Sequence, residues 1–591
     1  MKYRIYELSA KALMNYVRED EKKITFRLTE NETKKCMSFS APEYQEDCAL
    51  FFQTMCVLHG NDYSVPLGTQ TVNDLSDVIV YVDFSGIFDR RAVQKIYTDR
   101  QRWAKAMFSP EGITLDFGKG QYRYFAFERS GSMSRNSKLS FIREDFYEKV
   151  SKRIMLDMEI GLCQLSKLYA YNGLMLTSGY RVSDMSIWDS DRIVIIDNPV
   201  TTVYEANIIT LEDDGTDNAE RKYHRIEKTE DIEVTEFDGE GIISKEYAKQ
   251  IDEEYCGKSI HSSFQIRMPY IKGVVHSIDL KNMFAELGVP YIFDIWGKKH
   301  DINKIDLILT KSMFKGFGWM TENSIDFTEY LYRCKKYRHA LYISGVNQVQ
   351  RQLFTELNYQ FLNTASMTAE EFRPLDLPDG WEYSPEKDRR HWITKYTETA
   401  YYNLTADKQG RLNYFLDVLK EKTADTKDYL LAKILLKNPL FINEAVYTKE
   451  LKDKAESILK NYSLGNLIIP GDNRYLSGDL MRLIKFLVKS AADKESHFDG
   501  VVSLVENECE KGSCAYIPAN SYPESETVTL LRNPHIARNE ESVVYFPESI
   551  GYLRKKYLSH LSYVVMVDSR TLIPERLGGA DFDGDMVKII A

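Results

Sequence analysis

The run Gly578-Gly-Ala-Asp-Phe-Asp-Gly-Asp-Met-Val-Lys588 places three carboxylates at i, i+2 and i+4. In an extended backbone alternate side chains project to the same side, so Asp581, Asp583 and Asp585 share one face while Phe582 points the other way, into a core. Like charges this close repel unless a cation neutralises them. An all-oxygen donor set suits Mg²⁺, which keeps several waters and completes its shell with phosphate oxygens, with Mn²⁺ as the alternative ion. Gly584 lets the loop turn where a side chain would clash. An EF-hand does not fit: it needs Gly at loop position 6 and Glu at position 12, whereas Gly584 is at position 4 and the sequence reaches Ala591 before position 12. Residue types alone leave three readings open: a catalytic metal loop, a structural Ca²⁺ turn and a solvated acidic turn.

Such a loop needs a rigid frame. β-rich runs at 527–531, 542–546 and 563–568 follow Gly/Pro punctuation at Gly465, Pro470, Gly471 and Gly478, which predicts a β-barrel domain over 466–591. Short apolar runs at 192–196, 201–204 and 265–267, behind a helical pattern at 146–171, predict a first small barrel over 151–290. Within it, residues 210–240 are acidic and turn-rich, as an exposed insertion would be. Residues 291–465 carry apolar side chains at helical spacing at 412–419 and 429–436, interrupted by a Pro/Gly stretch at 374–385, and read as a helical linking domain. Residues 1–150 mix an alternating run at 78–83 with a helical one at 90–103, an α+β region. It closes on a basic stretch with Lys119, Arg123, Arg129, Arg135, Lys138 and Arg143 against the single acid Glu128. Interleaved aromatics suit a phosphate-tracking groove, although charge alone favours a solvated pair of surface strands.

A chain of 591 residues supports several cores in three or four domains, its composition of 43% hydrophobic, 12% aromatic and 28% charged residues is that of an ordinary folded protein, and its mixed β-rich and helical runs make the expected class α+β. The longest apolar stretch, 48–58, is broken by Gln53 and falls short of the roughly 20 residues a membrane span needs. The N-terminus has no apolar h-region, and a cytoplasmic location is expected. The eight cysteines are scattered without a CxxC, as reduced structural thiols are. Cys509 and Cys514 have no companion pair at metal-site spacing, which disfavours zinc. A net charge of −11 excludes a protein coated with nucleic acid over its whole surface, but not a basic channel inside an acidic shell.

Ala580-Asp-Phe-Asp-Gly-Asp585 resembles the metal-binding loop of the large subunit of cellular RNA polymerases and of eukaryotic-type RNA-dependent RNA polymerases. Upstream, Leu531-Arg-Asn-Pro-His-Ile536 is similar to the Arg-x-Pro segment of the same barrel, which implies that Arg532 lies near the incoming nucleotide. A block in the first barrel, Asp238-Gly-Glu-Gly-Ile-Ile-Ser-Lys-Glu-Tyr-Ala248, then Ser263-Phe-Gln-Ile-Arg267 and Ile271-Lys-Gly-Val-Val275, resembles that family's FQIR…KG stretch, whose lysine would be Lys272. Phe125-Ala-Phe-Glu-Arg-Ser-Gly-Ser-Met-Ser-Arg135 and Glu356-Leu-Asn-Tyr-Gln360 match more weakly, in the same order. The resemblance implies two double-psi β-barrels, Asp581, Asp583 and Asp585 as Mg²⁺ ligands, and Lys272 and Arg532 as catalytic cations. Arg267, His535 and Lys245 are secondary substrate-binding candidates. The implied partners are ribonucleoside triphosphates and a template of RNA or single-stranded DNA.

Two features depart from that pattern. Where cellular enzymes carry a ribose-recognising asparagine two residues before the first aspartate, this chain has Gly579. The sequence also runs only six residues past Asp585. Because a closed barrel needs its edges satisfied, a further chain or segment completing the C-terminal barrel is expected. The rival readings are a phage-type single-chain polymerase copying DNA, a non-catalytic nucleic-acid-binding remnant, and a Mg²⁺-dependent nuclease of unrelated fold.

Overall fold

The computed structural model describes residues 2–13, 24–27, 43–44, 47–61, 63, 72–85, 107–117, 120–213, 223–349, 354–365, 395–416, 427–509, 512, 514–518, 527–547 and 550–590. The expected helix at 90–103, Lys119, Cys36, the Pro/Gly stretch at 374–385 and residues 417–419 lie outside them. The chain gathers into two units, one of residues 1–193, 264–273 and 313–345, the other of 194–263, 274–312 and 346–591, and it passes between them within the strand Ile271–Ile278.

In the first unit the run at 78–83 forms the strand Ile79–Asp83, inside a six-stranded sheet ordered Tyr6–Ser9, Ile79–Asp83, Lys138–Arg143, Gln121–Ala126, Ile113–Asp116 and Ile24–Arg27. Val80 and Val82 pack on one face with Ile113, Leu115, Tyr124 and Phe141. Ile79 and Tyr81 pack on the other with residues of the helices Ala49–His59 and Glu144–Ile154. A strand covered on both faces reads as a continuous apolar run, which is how this one is written. The helix expected over 146–171 is two helices, Glu144–Ile154 and Leu165–Asn172. Leu156 and Asp157 adopt φ of +53° and +56°, and a left-handed pair of non-glycine residues ends a helix.

In the second unit the strand Glu240–Ser244 is central. It runs parallel to Ile271–Ile278, with Glu240 opposite Val274 and Ser244 opposite Ile278, and antiparallel to Leu307–Thr310. The strand at 307–310 interrupts the region expected to be helical. Its short apolar run is buried at every position, and such runs read equally well as helix or strand. Within the stretch 210–240, Tyr223–Thr235 is a strand that pairs antiparallel with Val200–Asp213 in a long ribbon. Helices Lys395–Thr405, Lys408–Leu416, Lys427–Lys437 and Ala445–Ser463 pack around Leu404, Phe415, Leu435, Tyr447 and Leu451.

The runs beyond 466 form a six-stranded sheet ordered Ala515–Tyr516, Val564–Val567, Asp472–Gly478, Met586–Ile590, Thr527–Leu531 and Ser542–Tyr545. A single parallel bridge between Cys514 and Tyr545 ties its two edges together, so the sheet curls around Leu476, Leu530, Val565, Phe582, Val587 and Ile589. The amphipathic helix Leu480–Ala492 joins this sheet to the strand at 240–244. Leu483, Ile484 and Leu487 share one core with Ile242, Ile278, Ile308, Val564 and Met566. Each such fully buried side chain contributes roughly 1.5–3 kcal/mol relative to exposure. No described helix is long and apolar enough to cross a membrane.

Candidate active site

The acidic loop leaves the short helix Ile573–Arg576 and enters the strand Met586–Ile590. Phe582 is 2% exposed and belongs to the core of the curled sheet. Burying that one ring turns Asp581 and Asp583 outward, where both are half-buried. Gly584 has φ of +129°, a backbone conformation that L residues rarely adopt. Beyond it the carbonyl of Asp585 accepts from the amide of Leu476, at 2.9 Å.

Internal hydrogen bonds relieve part of the repulsion between the carboxylates. The amide of Asp581 donates to Asp585 Oδ2 at 3.1 Å, and the amide of Asp583 donates to Asp581 Oδ1 at 3.4 Å. Asp585 Oδ2 also takes the Nε of Arg532 at 2.8 Å. The same guanidinium donates to the carbonyls of Leu577 and Gly578, at 3.3 and 3.2 Å. Arg532 is thus brought to the acidic loop and clamped there. The donor set is hard, all-oxygen and partly open to solvent, which fits Mg²⁺ or Mn²⁺.

Elsewhere, one ligand atom from each of Asp252, Cys256 and His261 lies within 4.8 Å of the others. That trio is a poor metal site. Asp252 Oδ2 accepts from the amides of Ile260 and His261, at 2.6 and 2.7 Å, and its Oδ1 pairs with His261 Nδ1 at 2.6 Å. Burial would raise the Asp252 carboxyl, but the bonds from His261 and the two amides outweigh it and hold the group below the usual range. Burial and neighbouring Asp252 push the Cys256 thiol up to about 11, and a metal needs the thiolate. Cys509 is likewise buried, and burial pushes its thiol up to about 12.

The remaining candidates make contacts of their own. His535 is 2% exposed. Its Nδ1 shares a 2.6 Å hydrogen bond with Thr364 Oγ1, and its amide donates to Gln360 Oε1 at 3.3 Å. It therefore packs the Arg532–His535 segment against the helix Tyr359–Ala365, uniting two of the sequence blocks. Lys245 begins a helix at the far end of the strand 240–244, about 17 Å along the chain direction from Glu240 at strand rise. There it lies 3.7 Å from Asp279 and lines a cleft of about 460 Å³ with Lys556 and His560. Arg267, in the first unit, donates to the carbonyl of Ile266 at 2.7 Å. Lys272 is half-buried on the strand Ile271–Ile278. In the basic segment Arg123 pairs with Glu144, Lys138 with Glu7, and Arg143 with Asp77 and Asp145. Those three cations are already neutralised, and their strands are inner strands of the six-stranded sheet, with Tyr124, Phe141 and Ile142 buried, rather than a solvated surface pair.

Sequence reasoning missed the buried carboxylates that hold this frame. Glu236 and Glu240 are both 0% exposed. Glu236 accepts from Arg482, Thr201 and Ser569. Glu240 accepts from Ser477 Oγ and the amide of Gly478, and His276 Nε2 lies 3.1 Å from it. The available signal was an acid or arginine set in an apolar run, as in Leu480-Met-Arg-Leu-Ile484.

The chain is 25% identical over 489 residues to the DNA-directed RNA polymerase YonO of Bacillus phage SPbeta, covering 81% of this chain and 50% of that protein. It thus spans about half the length of that curated relative. The RNA dependent RNA polymerase QDE-1 from Thielavia terrestris superposes with a TM-score of 0.48 at 12% identity, over 87% of this chain and 49% of that one. A family model described as RNA dependent RNA polymerase matches residues 73–460, a span that stops short of the acidic loop. Matched over more than half its length, the chain belongs to the RNA-dependent RNA polymerase family.

Proposed function

We propose that this chain carries the core of a template-directed RNA polymerase that joins ribonucleoside triphosphates to an RNA 3′-hydroxyl. The observation that carries the reading is the acidic loop with Arg532 seated on Asp585 Oδ2 at 2.8 Å, in a chain of this family. Asp581, Asp583 and Asp585 would hold Mg²⁺, which when bound supplies activation of the hydroxyl and stabilisation of the departing pyrophosphate. Arg532 offers a planar, permanently charged donor to the phosphates, and Lys272 a point charge. In-line phosphoryl transfer of this kind needs no nucleophilic side chain. With Gly579 in place of an asparagine, sugar recognition falls to Arg532 or to another part of the site. The regions 151–290 and 466–591 are read as double-psi barrels, and the scattered thiols suit a cytoplasmic setting.

The family favours an RNA template. A DNA template is the second reading, favoured by the similarity to a phage polymerase named as DNA-directed over 81% of this chain. The parent protein and an Asp583→Ala variant, given Mg²⁺, four ribonucleotides and matched RNA or single-stranded DNA templates, test both. Complementary RNA made by the parent alone supports polymerisation, and the more productive template selects between the readings. Shortening of the RNA instead would indicate a nuclease. Binding with a steep salt dependence but no incorporation, even with a C-terminally extended chain, would indicate a remnant.

A further inference from the structure

The acidic loop does not stand on its own sheet alone. The amide of Phe582 donates to the carbonyl of Asp238 at 2.9 Å. The next residue, Gly239, has φ of +83° and lies directly against Asp583. A Cβ placed on Gly239 would fall 2.3 Å from Asp583 Cβ, 2.9 Å from its Cα and 3.1 Å from its N. The first two separations are shorter than real Cβ contacts and the third is tight, and two of the three atoms are backbone.

The turn is braced so that it cannot retreat. The amide of Gly239 donates to Ser312 Oγ at 2.8 Å, and its carbonyl accepts from the amide of Val274 at 3.0 Å. Asn198 Nδ2 donates to the carbonyls of Glu236 and Phe237 at 2.8 and 3.1 Å, and Asn198 Oδ1 accepts from the amide of Ser312 at 2.9 Å. Glu240, the following residue, is locked onto Ser477 and Gly478. Leu476, beside them, holds the carbonyl of Asp585. The loop is gripped from both sides by groups that all lie within the second unit.

We infer that Gly239 is a positioning residue for the metal-binding carboxylates: the turn at 237–240 is the seat of the acidic loop, and the missing side chain at 239 sets where Asp583 stands. The inference rests on the polymerase reading for its meaning, but the contact itself does not. Gly239→Ala would push Asp583 off its seat and weaken binding of a divalent ion, without altering any group that touches template.

Mn²⁺ alone, titrated against the full chain by electron paramagnetic resonance, is the first readout. The parent should bind Mn²⁺ in a manner lost in Asp583→Ala, and Gly239→Ala should weaken it by at least about tenfold, the usual cost of disturbing a residue that orients a ligand. Template affinity should stay within about twofold, because no phosphate contact is removed. A second readout is thermal stability. Gly239→Ala should lower the Tm, and adding Asp583→Gly, which removes the Cβ 2.3 Å away but leaves the backbone contacts and the φ of +83°, should recover part of the loss. If Gly239→Ala does not fold, Ser312→Ala, which loosens the same turn, should weaken Mn²⁺ binding several-fold. Unchanged Mn²⁺ affinity in the folded variant, or a parent with no Asp583-dependent Mn²⁺ binding, overturns the inference. A parent that binds Mn²⁺ as expected but makes no RNA overturns the polymerase reading and leaves the positioning role standing.

Discussion

Arg532 Nε sits 2.8 Å from Asp585 Oδ2 while the other end of its guanidinium is held by the carbonyls of Leu577 and Gly578. One side chain therefore couples the strand Thr527–Leu531 to both ends of the acidic loop. Arg532→Ala should lower nucleotide incorporation by about 100-fold or more, the usual cost of removing one preorganised charge from a transition state. Arg532→Lys should recover only part, because an ammonium lacks the planar fork that reaches three acceptors at once. Steady-state incorporation with circular dichroism as a control for folding checks both. A change under threefold in the alanine variant would remove Arg532 from the site.

Glu236 is fully buried against Arg482, Thr201 and Ser569. Glu236→Gln should destabilise the chain by about 3–5 kcal/mol, because it leaves the Arg482 guanidinium without its charge partner. Burial alone would raise this carboxyl, but the hydrogen bonds from Arg482, Thr201 and Ser569 outweigh it and lower its pKa. A carboxylate depressed in the folded state contributes stability above its unfolded pKa and loses it as pH falls through the folded one. Urea midpoints of parent and variant should therefore converge on acidification below about pH 4.5.

Glu128 should behave in the opposite sense. Burial raises its carboxyl to about 7 although Asn172 Nδ2 donates to it at 2.9 Å, and its Oε2 is enclosed without a partner. An acid whose pKa is raised by folding favours the native state below its unfolded pKa, and that advantage is lost as pH rises through the folded value. Glu128→Gln keeps the acceptor for Asn172 and removes the charge. It should be nearly neutral in stability at pH 5 and stabilising by on the order of 2–3 kcal/mol at most above pH 8. Equal thermal midpoints for parent and variant across that range would count against a buried charge at this position.

Cys256 offers a test of metal preference. With its thiol pushed up to about 11 and Asp252 saturated by amides, Cys256→Ala should alter incorporation by less than about twofold. Chelation with EDTA should abolish synthesis, and Mg²⁺ or Mn²⁺ should restore it where Zn²⁺ does not. Stoichiometric zinc in the purified protein, lost in Cys256→Ala, would assign the metal to this cluster instead.

The fold was legible where the chain is locally consistent. The runs at 527–531 and 542–546 became strands at nearly those bounds, because alternating apolar residues between turn formers admit little else. It was illegible at 307–310, where a run buried on every face carries no period to read. The helix expected at 146–171 split because two consecutive residues take left-handed conformations that no single residue type announces.

The site divides in the same way. Residue types and spacing alone determined that Asp581, Asp583 and Asp585 form one hard-oxygen loop and that Phe582 turns inward, since a backbone period and the chemistry of carboxylates are local properties. Only the tertiary structure decided that Arg532 reaches Asp585, that His535 bonds Thr364 and Lys245 lies beside Asp279, and that the loop rests on Gly239, some 340 residues earlier in the chain. Those contacts join segments whose meeting depends on how the sheets share a core through Leu483, Ile484 and Leu487. Burial of that core is a property of the whole chain, and no short stretch of sequence contains it.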